Sequence, residues 1–223
     1  MNSLSLKEIQ GFQSAILDFY NLESRTFPWR ETRNPYSIMV SEFMLQQTQT
    51  NRVLTKYLEW HERFPTLESL ATASLSDVLS QWVGLGYNRR ARFLHESAKL
   101  IIQDYAGIVP EDPDVLDSLP GIGPYTARAI STFAYGIPHT FIETNIRSVF
   151  IFFFFSDVPS VDDKEILSLI EQTVYLEDPR TWYYALMDYG SVLKKKINNP
   201  NRKSKHYTKQ SKFEGSLRQA RGS

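Results

Sequence analysis

The spacing of the apolar residues constrains the fold most, because it follows the period of an α-helix through nearly the whole chain. Apolar side chains recur at intervals of three and four, which places them on one stripe of a helix. Two such runs are Leu6-Ile9-Phe12-Ile16-Phe19 and Val53-Tyr57-Trp60. Short segments rich in Pro, Gly or Asn separate the runs, and no block alternates as a strand would. The sequence therefore predicts an all-α protein of short helices, with hydroxyl-capped helices starting near Thr66 and Ser74.

Composition indicates an ordinary globular protein. Of the 223 residues, 42% are hydrophobic and 22% charged, a balance that suits one globular unit or two small interlocked lobes. The N-terminus shows no secretory signal. The apolar run from Val149 to Phe155 is far shorter than the roughly 20 residues that a membrane span requires, so we interpret it as a core helix. We expect a cytoplasmic protein that does not contact a membrane.

The chain contains no cysteine, which restricts its metal chemistry. Disulfides, thiolate zinc sites and cysteine-ligated iron–sulfur clusters are excluded. The four histidines are scattered without the spacing of metal ligands. We expect no metal site built from side chains.

A net charge of zero hides an asymmetry. Residues 194–223 carry ten Lys or Arg against the single acid Glu214, whereas residues 1–193 carry 15 basic and 24 acidic side chains. We define residues 194–223 as the basic C-terminal tail. The tail would attract a phosphate backbone, and a solvated end of the chain explains its composition equally well.

Leu119-Pro120-Gly121-Ile122-Gly123 forms a turn between two helical segments. Glycines let the main chain approach a ligand closely, and amides at the start of the following helix suit an anionic phosphate. We predict phosphate contacts at Gly121, Ile122, Gly123 and Thr126, and the hairpin backbone is also compatible with a bound monovalent cation. An ordinary loop between helices remains the alternative.

Besides this hairpin, the chain contains several distinctive blocks in order, which are Phe27-Pro28-Trp29-Arg30, Asn34-Pro35-Tyr36, Ser41 to Gln49, Gly84-Leu85-Gly86-Tyr87, Arg90 to His95 and Met187-Asp188-Tyr189-Gly190. Together they resemble the helix-hairpin-helix DNA glycosylase superfamily, and most closely the catalytic domain of the adenine DNA glycosylases. The resemblance implies two all-α lobes with a DNA-binding cleft between them. One lobe would comprise residues 1–28 and 136–193, the other residues 29–135 with the hairpin.

A glycosylase must flip a nucleotide out of the duplex and fill the gap. By resemblance, Gln47 and Tyr87 penetrate the base stack, Leu45 lies at the wall of the base pocket, and Arg30 hydrogen-bonds the flipped base. A plain core role stays open for Tyr87 and Leu45, and a surface salt bridge for Arg30.

Two carboxylates are candidates for the chemistry. A carboxylic acid in an apolar pocket can have its pKa raised enough to protonate a departing base, and Glu42 lies among apolar residues. A second carboxylate would stabilise an oxocarbenium-like sugar, and the resemblance places Glu143 there. The superfamily has aspartate at this position, so Glu143 is a departure, whereas Asn145 matches a residue that orients the catalytic groups.

Tyr125 decides the reaction subtype within the resemblance. Glycosylases that also cut the strand have a lysine there, which forms a Schiff base, and tyrosine cannot form that imine. We therefore predict a monofunctional glycosylase without strong lyase activity.

Two further departures limit the resemblance. Ser191-Val192-Leu193-Lys194-Lys195-Lys196 stand where the family usually continues into its cluster cysteines. The similarity ends at Gly190, before the separate domain with which adenine glycosylases recognise 8-oxoguanine. The hypothesis is a monomeric glycosylase acting on double-stranded DNA with a mispaired or damaged base, foremost adenine. The alternatives are a thymine or uracil mismatch glycosylase on the same scaffold and a non-catalytic module that binds mismatches or lesions.

Overall fold

The computed structural model describes residues 3–207, which form helices joined by short loops. Over this range the one pairing of extended segments is an isolated parallel bridge between Val161 and Ser204. The helices are α1 (Leu6–Glu23), α2 (Pro28–Glu31), α3 (Pro35–Leu45), α4 (Thr50–Arg63), α5 (Leu67–Ala71), α6 (Leu75–Trp82), α7 (Arg89–Asp104), α8 (Pro113–Asp117), α9 (Pro124–Ile130), α10 (Thr144–Phe154), α11 (Asp163–Thr173) and α12 (Pro179–Lys196). The all-α prediction is confirmed.

Hydroxyl side chains start several of these helices. Thr66 accepts the amide of Ser69 at the start of α5, and Ser74 accepts the amide of Asp77 at the start of α6, both at 3.1 Å. Each bond satisfies one of the amides that a first turn leaves without a partner within the helix. The predicted capped helices are confirmed.

The described chain divides into two compact units. One is formed by residues 27–135, the other by residues 3–26 together with 136–207. The part of the predicted basic tail from 194 to 207 belongs to the second unit, where α12 runs to Lys196 and Asn201 is buried. Residues 208–223 of that tail lie outside the described residues.

The unit of residues 27–135 is built around α3. This helix is apolar on all sides, and eight of its eleven residues are buried. It packs against α4, α7 and α9. Trp60 of α4 donates to the hydroxyl of Tyr36 in α3 at 3.1 Å, and the ring of Trp82 lies 5.5 Å from that of Trp60. Proline at its first turn and the side chain of Asn34 as its N-cap fix where α3 begins, which sets the register of its later residues.

The unit of residues 3–26 and 136–207 is organised by α10 and α12. Phe12 of α1 contacts rings from both helices, including Phe150 at 5.2 Å and Trp182 at 5.6 Å between ring centroids. Arg25, just after α1, donates to both carboxylate oxygens of the buried Asp188 in α12. These contacts pack α1 against both α10 and α12.

The apolar run predicted as a core helix lies in α10, where Val149, Phe150 and Ile151 are buried. None of the helices between residues 3 and 207 combines the length and the apolar character that a membrane crossing requires.

Candidate active site

Glu42 lies inside α3 and is 8% exposed. Its neighbours Ser41 and Phe43 are buried as well, so Glu42 lies in a fully buried stretch of the helix. A carboxyl group in such surroundings loses the hydration that stabilises its charged form. The location is that of the buried acid that the sequence predicts.

The chain turns sharply directly after α3. Leu45 ends the helix and is half-buried, and Gln47, two residues later, is exposed with φ of 55°. A residue other than glycine in this left-handed region costs about 1–3 kcal/mol, and such strain concentrates at functional positions. Gln47 therefore projects from a strained turn, as a side chain that enters a base stack would.

A second strained turn carries Tyr87. Gly84 and Gly86 have φ of 96° and 72°, and Tyr87 follows with φ of 49°. The tyrosine ring is 48% exposed, so the core role left open for Tyr87 does not describe it. Both predicted wedge residues thus share the same backbone conformation and the same exposure to solvent.

Arg30 and Tyr125 are half-buried. The guanidinium of Arg30 lies 5.2 Å from the ring centroid of Phe27, which in turn stacks on Trp29 at 4.9 Å. Tyr125 lies in the first turn of α9, two residues after Gly123.

The hairpin joins α8 to α9. Gly121 has φ of 76°, and a Cβ added there would lie 2.7 Å from Phe93 Cβ, so both the turn and the packing require glycine. Leu119 and Ile122 are buried and anchor the turn in the core. The buried hydroxyl of Ser97 in α7 donates to the carbonyl of Pro120 at 2.8 Å and so ties the turn to α7.

Two of the four predicted phosphate contacts have other partners in this structure. The amide of Ile122 donates to the carbonyl of Leu119, and Thr126 is 4% exposed with its hydroxyl oxygen 3.4 Å from Gln46 Nε2. Within residues 3–207, the amides of Gly121 and Gly123 take no part in the backbone hydrogen bonds. Phosphate contact at Gly121, Ile122, Gly123 and Thr126 stays a prediction.

Glu143 is the N-cap residue of α10. Its Oε1 accepts the amides of Asn145 at 2.7 Å and Ile146 at 2.9 Å. Its Oε2 accepts from Asn145 Nδ2 at 3.2 Å and from the Thr144 hydroxyl at 3.3 Å. Both oxygens are fixed, and the predicted hydrogen bond from Asn145 is present.

Opposing effects act on the charge of Glu143. Burial raises the pKa of this carboxyl above its ordinary value of 4.5, since desolvation disfavours the charged form. The amides of Ile146 and Asn145 and the positive charge of Lys194 oppose that rise. Burial in turn lowers the pKa of the Lys194 ammonium, and Glu143 opposes that shift. A carboxylate and an ammonium are therefore electrostatically coupled at the start of α10.

Gly190 brings α12 against this cap. A Cβ at Gly190 would lie 2.3 Å from the carbonyl oxygen of Asn145, so only glycine permits the crossing. Lys194 follows four residues later in α12, which places it one turn along the same face.

The segment from Ser191 to Lys205, which begins where the resemblance implies cluster ligands, does not fit an iron–sulfur cluster, because it includes no thiolate. The segment instead folds through polar contacts. Asn201 Nδ2 donates to the Ser148 hydroxyl at 2.6 Å and to the Thr144 carbonyl at 3.0 Å, and the backbone of Val161 pairs with Lys203 and Lys205. Among residues 3–207, no group of three or more His, Asp or Glu side chains could hold a metal ion.

Sequence reasoning missed three residues at these sites. Gln46 and Arg90 lie within the blocks that resemble the family, but the sequence predicts no role for them. Lys194 is predicted only as part of the basic C-terminal tail. The available signal was Arg90 itself, a charged residue on the apolar stripe of α7 with Ala91 and Leu94.

The helices, the hairpin and the two carboxylates define an all-α protein of the helix-hairpin-helix class. The family model described as HhH-GPD superfamily base excision DNA repair protein matches residues 40–181. The chain belongs to the HhH-GPD superfamily of base excision DNA repair proteins.

Named relatives of two kinds are similar to the chain. It is 48% identical over 135 residues to the adenine DNA glycosylase of Mycobacterium tuberculosis, covering 60% of this chain and 44% of that protein. It is 30% identical over 196 residues to the thymine/uracil-DNA glycosylase of Methanothermobacter thermautotrophicus, covering 86% and 89%. A solved thermostable thymine-DNA glycosylase superposes with a TM-score of 0.76 at 30% identity, covering 83% and 87%. The chain thus spans less than half the length of the mycobacterial relative.

Proposed function

We propose that the protein is a monofunctional DNA glycosylase that hydrolyses the N-glycosidic bond of a mispaired or damaged base, foremost adenine, in double-stranded DNA. The observation that carries the proposal is the carboxylate of Glu143, whose two oxygens are held by the amides of Asn145 and Ile146 and by two side chains. Such a carboxylate does not need to reorganise as positive charge develops beside it, which is what an oxocarbenium-like sugar requires.

The two carboxylates take different roles. Glu42, buried in α3, acts as the general acid that protonates the departing base. Glu143 stabilises the sugar cation, and Asn145 keeps the carboxylate oriented through its 3.2 Å hydrogen bond. Water is the final acceptor.

The substitution of glutamate for aspartate at 143 fits this role. The longer side chain still reaches back to cap α10, and the Lys194 charge lowers the pKa that burial raises. We infer that the extra methylene is accommodated by the cap and does not inactivate the site.

DNA recognition combines the hairpin with the two strained turns. The amides of Gly121 and Gly123 contact a phosphate without reading sequence. Gln47 and Tyr87 enter the base stack as the target nucleotide leaves it, and Arg30 and Leu45 line the base pocket. Tyr125 cannot form a Schiff base, which supports release of the base without strand cleavage. The protein acts as a monomer.

A second candidate is a thymine or uracil mismatch glycosylase. The observation that favours it is the extent of the similarity along this chain, which covers 86% of its residues with the thymine/uracil-DNA glycosylase and 60% with the mycobacterial adenine glycosylase. The same carboxylate arrangement would serve a pyrimidine.

A panel of duplexes, each with one mismatched or damaged base, tests the proposal and separates the candidates. The strand that becomes alkali-labile identifies the excised base. Alkali-labile sites opposite guanine or 8-oxoguanine in the adenine strand support the leading proposal, and sites in the thymine or uracil strand support the second. Tight binding to mismatches with no labile site in any duplex would contradict both and indicate a non-catalytic binding module.

A further inference from the structure

Arg90 is a buried arginine in the first turn of α7 and is 8% exposed. It lies on the stripe that Ala91, Leu94 and Ala98 bury against the core. Burial lowers the pKa of its guanidinium to about 10, so the group keeps its charge at neutral pH. A buried charge of this kind persists only where hydrogen bonds replace its hydration.

One nitrogen of the guanidinium binds the end of α3. Nη1 donates to the carbonyls of Phe43 at 2.8 Å, Met44 at 2.9 Å and Gln46 at 2.6 Å. The last carbonyls of a helix have no partner within it and carry its partial negative charge. Arg90 therefore fixes the point at which the chain leaves α3 and enters the strained turn of Gln47.

The other terminal nitrogen, Nη2, binds the turn that carries Tyr87 and also Thr48, the residue that follows Gln47. Nη2 donates to the carbonyls of Leu85 at 3.1 Å and Gly86 at 3.0 Å, and to the Thr48 hydroxyl at 3.0 Å. The guanidinium carbon also lies 5.6 Å from the ring centroid of Tyr87. A single planar group thus holds both strained turns.

Gln46 extends the connection to the hairpin. Its Nε2 donates to the carbonyl of Gly121 at 3.3 Å and lies 3.4 Å from the Thr126 hydroxyl, while its own carbonyl accepts from Arg90. The two turns and the hairpin are therefore joined through Arg90 and Gln46.

We propose that Arg90 is a positioning residue that couples the turns of Gln47 and Tyr87, so that the two side chains enter DNA as one rigid wedge. The inference rests on the proposed function, since it assigns Arg90 to the base-flipping step of that reaction. Only the fork of a guanidinium can serve the acceptors of both turns at once; a lysine ammonium has one nitrogen and three protons.

The test compares Arg90→Lys with Arg92→Lys, a matched change two residues away on the same helix, where the arginine is exposed and paired with Glu96 at 2.7 Å. Each variant is mixed with a duplex that carries 2-aminopurine next to an adenine–guanine or a thymine–guanine mismatch. Fluorescence reports unstacking of the bases, and anisotropy reports affinity for mismatched and fully paired DNA. Thermal unfolding shows whether each variant is folded.

For Arg90→Lys we expect a folded protein with wild-type affinity for paired DNA and no fluorescence rise. We also expect a loss of mismatch preference on the order of tenfold to a hundredfold, the effect of losing hydrogen bonds to a charged group. Arg92→Lys should match the wild type in all three. A fluorescence rise and mismatch preference equal to wild type in Arg90→Lys would overturn the inference.

Thr48→Val keeps the test decisive if Arg90→Lys does not fold. It removes one acceptor of Nη2 at nearly constant volume, and we expect a smaller loss of the fluorescence rise in the same direction. An unchanged rise would overturn the coupling. Base release is not needed for this readout: a wild type that unstacks mismatches without releasing a base would contradict the proposed function and leave the role of Arg90 standing.

Discussion

Two charged residues lie at helix ends. Glu143 takes the N-cap position of α10, where burial raises the pKa of its carboxyl and the hydrogen bonds from two backbone amides lower it. Arg90 uses the opposite end of a helix, where the carbonyls of α3 accept from its guanidinium. Both residues place a charged side chain at a helix terminus, where the orientation of backbone dipoles is fixed.

Lys194 should control the pH dependence of base release through Glu143. The carboxyl must be ionised to stabilise the sugar, and Lys194 lowers a pKa that burial raises. Removing the ammonium in Lys194→Ala therefore raises the pKa of Glu143 further, and the single-turnover rate should be lost at a higher pH as the solution is acidified. The measurement is the rate of base release between about pH 4 and pH 8.

Lys196→Ala is the matched control, because Lys196 lies on the same helix and is exposed. Its acid limb should coincide with that of the wild type. Acid limbs at the same pH in both variants would show that Lys194 does not act on the charge of Glu143.

At the scale of helices, the crossing of α10 and α12 positions the carboxylate. Gly190 allows the backbones to approach, and Asn201 holds the start of α10 through the Thr144 carbonyl and the Ser148 hydroxyl. The chain after α12 thus stabilises, through the hydrogen bonds of Asn201, the end of α10 that carries Glu143.

Gly190→Ala should disturb this crossing. The new methyl group would meet the backbone of Asn145 at 2.3 Å, which a side-chain rotation cannot relieve. We expect a loss of about 1–3 kcal/mol in the free energy of unfolding. The shift of Glu143 should also lower the single-turnover rate by about a hundredfold.

The control for this substitution is Gly11→Ala in α1, where a Cβ would meet no atom within 4 Å. Alanine there should leave activity unchanged and raise the stability by about 0.4–1 kcal/mol. Equal denaturation midpoints for Gly190→Ala and the wild type would refute the tight crossing.

The helices could be predicted from the sequence because their signals are local. The period of the apolar residues located α1 and α4, and the hydroxyl side chains of Thr66 and Ser74 marked the starts of α5 and α6. The role of Arg90 could not be predicted in this way, since its carbonyl acceptor at Phe43 is 47 residues away in sequence. Such a contact exists only after α3 and α7 pack together.

At the scale of the whole molecule, the chain is two all-α units with an uneven distribution of charge. The predicted basic tail has two parts: residues 194–207 belong to a folded unit, and Lys194 acts on Glu143. Residues 208–223 carry four basic side chains and one acid. Electrostatic attraction to DNA should therefore be tested on residues 208–223 alone.

Deleting residues 208–223 should flatten the salt dependence of DNA binding without affecting base release in bound complexes. The slope of log K against log salt is negative, and its magnitude should fall by about 0.9 for every phosphate that the shortened protein no longer neutralises. The measurement is affinity for a paired duplex across a salt series. An unchanged slope would show that this segment does not bind the phosphate backbone.

The role of Glu42 as the proton donor is tested by the single-turnover rate of base release by Glu42→Gln. The rate is measured beside the wild type on the duplex that the panel identifies. Glutamine keeps the size of the side chain and cannot donate the proton of a carboxylic acid. We expect wild-type affinity for the mismatched duplex and a rate lowered by about 10²–10⁴, the usual contribution of a positioned general acid. A rate equal to that of the wild type would show that Glu42 is not the proton donor.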